Sequence, residues 1–91
     1  MDLIAIAANE LQINSNELIR ESVRAYLMQK LSKVESEIFL LAKKYGVKNV
    51  FELDSRVKDG FVSEDDAYDD YFAFDSLEAD REKLKKLLKE I

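Results

Sequence analysis

The residues with the most chemistry in them stand in one run, Glu64 to Asp75, EDDAYDDYFAFD. It sets six carboxylates among four aromatic rings with no Lys or Arg between them. Carboxylates at such density suggest a metal site, acid–base catalysis or recognition of a cationic partner. A calcium loop needs glycine at its sixth position and a closing glutamate, and the run has neither, so no metal is expected. Acid–base work by carboxylates alone needs a pocket, and a chain of helices and short loops offers little to build one. Partner binding remains: Asp65, Asp66, Asp69 and Asp75 meeting positive charge, with Tyr68, Tyr71, Phe72 and Phe74 supplying apolar area. The competing reading is structural. Acids at a helix N-terminus and bases at its C-terminus complement the helix dipole, and the rings can be core or dimer contacts.

Composition narrows the classes further. Ninety-one residues fit one domain, residues 1–91, at the small end of what supports a core, where oligomerisation often adds stability. Cysteine and histidine are both absent. That removes disulfides, thiolate ligands, the cysteine nucleophile and the commonest general base, so neither an enzyme nor a cofactor is expected. Residues 1–46 balance six acids with six bases, 59–80 hold nine acids and no base, and 81–91 hold five bases and two acids. A net charge of −5 distributed in this way gives no clustered cationic face for nucleic acid. No apolar run reaches about 20 residues, so no membrane span is expected. The opening MDLIAIAANE lacks the basic region of a signal peptide, which makes the cytoplasm the expected compartment.

Helices must position the acidic-aromatic run, because the chain has no proline and two glycines. Leu3, Ile4, Ala7, Ala8 and Leu11 space a short first helix. Asn14, with Glu17 three residues on, caps a second; Ser15 is the alternative cap. That helix should run from about 15 to 45, ending with Lys43 and Lys44 before Gly46. Its positions Leu27, Leu31, Val34, Ile38, Leu41 and Tyr45 are spaced four, three, four, three, four, the seam of a coiled coil. The seam suits either a dimer or burial beneath the last helix of the same chain. Val47 to Lys58 reads as a third helix capped by Asn49, and Asp59-Gly60 as a turn. Ser63 should cap a last helix from about 64 to 90, with Phe61 or Val62 packing on Ala67. The fold class is therefore all-α, four helices, with a homodimer expected.

Leu11 to Leu27 carries a family resemblance. NSNELIRESVRAYL is similar to the opening of the second helix in ribbon-helix-helix proteins, through Glu17, Leu18, Ile19, Arg20, Glu21, Val23, Arg24, Tyr26 and Leu27. The resemblance implies a dimerising helix pair over residues 1–46, with a helix N-terminus near DNA phosphate and Arg20 and Arg24 as the residues to contact it. The family usually has glycine where Gln12 stands, and the DNA-reading strand has no counterpart before Leu3. Arg20 and Arg24 can instead pair with Glu17 and Glu21.

The remainder, Leu41 to Ile91, resembles small prokaryotic antitoxin-like proteins. The shared elements are the helix-ending Lys44 to Val47, the short helix Asn49 to Lys58, the turn Gly60 to Ser63, the acidic-aromatic Glu64 to Asp75 and the leucine-rich Leu77 to Ile91. Where that group often has His-Pro and tryptophan, this chain has Asp65-Asp66 and Tyr68. The resemblance implies a toxin partner, in many such systems a ribonuclease whose cationic site the carboxylates would fill in place of phosphates. The expected function is a non-catalytic, dimeric antitoxin-like protein. The alternatives are a DNA-binding repressor and a helical interaction module.

Overall fold

The computed structural model describes residues 2–91. The chain is all-α: α1 (Leu3–Leu11), α2 (Ser15–Tyr45), α3 (Val50–Lys58) and α4 (Glu64–Lys89) follow in order. Each boundary has a local cause. Asp2 starts α1 by accepting the Ile4 N–H at 3.0 Å. Asn14 starts α2 by accepting the Asn16 N–H at 2.7 Å. Between them Gln12 ends α1 in the left-handed conformation, φ 58°, which glycine adopts with less strain.

Gly46 ends α2 in the same way at φ 64°, and the Val47 N–H returns to the Ala42 carbonyl at 2.9 Å. A helix closed like this usually tucks the next apolar residue under its last turn, and Val47 is buried. Val47 is therefore core without being helix. The third helix begins at Val50, three residues later than its apolar spacing predicts, because Asn49 is extended (φ −159°) and acts as N-cap, accepting the Glu52 N–H at 2.9 Å. Ser63 holds the N-cap backbone position of α4, yet its hydroxyl makes no capping bond; Glu64, Asp65 and Asp66 supply the negative charge in that first turn.

α4 runs antiparallel to α2. The Arg24 guanidinium, early in α2, donates to the main-chain carbonyl of Ile91 at 3.2 Å, while Lys44 and Tyr45, late in α2, both bond Asp70, early in α4. The coiled-coil seam of α2 is thereby spent within the chain. Ile38 is core; Val34, Leu41 and Tyr45 pack against that core; Leu27 is buried and Leu31 half-buried. Of the two uses open to this seam, the fold takes burial beneath the last helix, and the seam is not free to face a second copy.

The main core lies where α3 wedges between the end of α2 and the start of α4: Ile38, Val47, Val50, Leu53, Ala67 and Phe74. Leu53 and Phe74 are fully enclosed. Val62 packs against this cluster and Phe61 faces solvent, so Val62 takes the apolar position ahead of α4. α4 also ties down the start of α3, Glu78 accepting the Val50 N–H at 3.0 Å. The molecule measures 60 × 20 × 18 Å. Among the described residues no helix is long and apolar enough to cross a membrane.

Candidate functional site

The helical period sorts the acidic-aromatic run into two faces. Ala67 and Phe74, seven residues apart, point into the core, and Tyr71 lies half-buried between them. Phe74, expected on the binding face, is 0 % exposed and belongs to the core. The requirement to bury α3 against α4 decides this, since a ring at that register fills the space above Leu53. Tyr68 and Phe72 take the outer face, 59 % and 56 % exposed. They stack edge to face with ring centres 5.1 Å apart, and Phe72 meets Tyr71 in the same manner at 5.7 Å. Asp65, Asp66, Asp69 and Asp75 are all exposed around them.

The rings form one wall of a groove of about 240 Å³ between α3 and α4. Asp54 and Val57 of α3 form the other wall, and Glu64 stands at its end. Apolar spacing alone did not mark Asp54; its signal is its place beside Leu53 and Val57, which turn inward. Asp54 holds Lys58 at 3.0 Å, and that hydrogen bond raises the Lys58 pKa. The pair is one helical turn apart and open to water, so it adds little stability and leaves the carboxylate available to a competing cation.

Asp70 has a different task. It accepts from the Lys44 ammonium at 2.6 Å and from the Tyr45 hydroxyl at 2.5 Å. The Lys44 bond first, and the Tyr45 bond after it, hold its pKa below the usual carboxylate value. Tyr45 is pushed up, mostly by burial, and Lys44 is raised by the same carboxylate. Asp70 thus fixes the rotation of α4 on α2 and so presents Tyr68 and Phe72 outward.

The N-terminal arginines separate as well. Arg24, a candidate phosphate contact, is half-buried and donates to the Ile91 carbonyl. Arg20 is exposed, and among the described residues neither arginine forms an ion pair with Glu17 or Glu21. Among the described residues no three acidic side chains converge as a metal would require.

Comparison with known proteins places the chain among uncharacterised relatives. A family model described as the uncharacterized protein MJ0235 family matches residues 1–91. The chain is 32 % identical over 75 residues to the uncharacterized protein MJ0235 of Methanocaldococcus jannaschii, covering 82 % of this chain and 92 % of that protein. The chain belongs to the MJ0235 family. No solved structure matches.

Proposed function

We propose that this member of the MJ0235 family is a non-catalytic, antitoxin-like binding protein. Its outward α4 face docks a basic protein partner. The observation that carries the reading is the solvent-exposed Tyr68–Phe72 stack beside the α3 groove, ringed by Asp65, Asp66, Asp69 and Asp75. Rigid aromatics give contact area at small entropic cost, and surrounding carboxylates steer and orient a cationic surface. A toxin whose active site binds phosphate presents such a surface, and the carboxylates then occupy the phosphate positions.

Co-expression with the product of the adjacent gene tests this. The reading expects that product to inhibit growth alone, to be neutralised by this chain and to co-purify with it. Replacing Tyr68 and Phe72 together by Ala should abolish neutralisation and co-purification while helicity stays unchanged, since both rings are exposed. A harmless neighbour that does not co-purify overturns the proposal.

A further inference from the structure

α2 carries a second apolar face that the fold leaves bare. Met28, Phe39 and Leu40 are 54 %, 63 % and 64 % exposed. With Leu31 at the edge of the seam, and with Ser32, Glu35 and Ser36, they line a shallow groove of about 500 Å³. Of its polar lining, Ser36 folds its hydroxyl back onto the Ser32 carbonyl at 2.9 Å, and Glu35 contributes an exposed carboxylate. Ala25 and Ser32 are small enough to let another helix approach closely.

The whole molecule exposes more surface than one copy should. A folded monomer of 10.5 kDa is expected to show about 5,400 Å², whereas this chain shows 7044 Å², roughly 1,600 Å² more. Its radius of gyration is 19.1 Å, against about 12 Å for a compact domain of this length. A stable interface removes about 800 Å² or more from each partner, so the excess on one copy is about twice what a contact of standard size absorbs and leaves ample surface for one.

Charge selects what covers the face. Glu21 and Lys43 lie on this side of α2 at equal sequence distances before and after Ser32, about 16 Å along the axis in each direction, and both are exposed. Ala25 and Phe39 are likewise equidistant from Ser32. An antiparallel copy centred there therefore sets each Glu21 opposite the other Lys43, and each small Ala25 opposite the other Phe39. It also brings the acid-rich start of one α4 to the same end as the base-rich finish of the other. A parallel copy would put like on like. We propose that a second copy of this chain lies antiparallel across the Met28–Phe39–Leu40 face of α2, with Glu21 of each copy facing Lys43 of the other. This closed, self-matching contact is independent of the α4 docking face and uses none of its residues.

Sedimentation equilibrium on the full chain, from about 1 to 100 µM, tests it. The wild type should be dimeric. Phe39→Glu and Met28→Glu should each yield monomers with undiminished far-UV helicity, since neither side chain is in the core. Glu21→Lys should weaken the dimer severalfold at low salt, and Glu21→Lys combined with Lys43→Glu should restore it. A monomeric wild type overturns the proposal. So does a dimer indifferent to both Glu variants, and so does a charge reversal that its partner reversal fails to rescue.

Discussion

The two ends of the rod are built from similar amounts of apolar sequence and bury it very differently. At the α3 end, three helices converge and enclose Leu53 and Phe74 completely. At the other end α1 folds back on α2 beside the finish of α4, and Ala8 and Leu27 are the buried side chains there. Leu3, Ile6, Leu11, Ile19 and Val23 stay exposed around them. What separates the ends is a third wall. α3 is a nine-residue helix packed on α4 whose inward positions, Val50, Leu53 and Val57, join one cluster with Ile38 of α2, and α1 packs on α2 without building such a cluster. Packing at the α3 end sets the fold, and it also aims the Tyr68–Phe72 face.

The largest test of that asymmetry is Phe74→Ala. Removing a fully enclosed ring should cost about 4 kcal/mol, much of the roughly 5–13 kcal/mol that a domain of this length holds, read as a lower urea midpoint. Leu27→Ala at the thinner end should cost about 2 kcal/mol, because neighbours there are fewer and water already reaches the site. Equal losses at the two positions would break the comparison. The helix-ending residues sharpen it at smaller scale. Gly46→Ala, with open space around the new methyl but a left-handed backbone, should destabilise by about 1 kcal/mol. Gln12→Gly relieves the same strain at the opposite end and should stabilise by a similar amount, about 1 kcal/mol.

The smallest effect is electrostatic and confined to the α3 end. Asp70 has a lowered folded pKa, so its contribution is full above the ordinary carboxylate value and fades as pH falls through the folded one. Asp70→Asn should therefore lower the urea midpoint at neutral pH, with the gap to wild type closing in acid. Lys44 and Tyr45 are shifted upward, and their share is present below about pH 10 and lost above it. A gap unchanged down to pH 2 would remove Asp70 from the account of how α4 is oriented.

Local signals in the sequence marked most helix ends, because caps act over three or four residues. Asn14 and Gly46 bound α2 at Ser15 and Tyr45 as their types require. The start of α3 departs from its apolar spacing for a local reason too: Val47 has helical spacing, yet it is buried as the residue after a left-handed cap. The faces of α4 were not legible. Tyr71, Phe72 and Phe74 crowd more than one side of the helix, and only the distant Leu53 assigns Phe74 inward while leaving Phe72 out. The seam from Leu27 to Tyr45 had the same ambiguity, since an identical stripe suits a partner helix from either the same chain or another. Sequence carries the period; the folded chain decides which helix meets it.

The proportions of the rod have a hydrodynamic consequence. A body of 60 × 20 × 18 Å drags far more solvent than a sphere of equal mass, so it diffuses slowly and tumbles anisotropically. A single copy will leave a gel-filtration column early, at the volume of a heavier globular standard, and will mimic a dimer there. A side-by-side pair would thicken the rod more than lengthen it, so pairing would change the elution volume less than a doubling of mass suggests. Rotational anisotropy, which responds to shape as well as to mass, separates the two species.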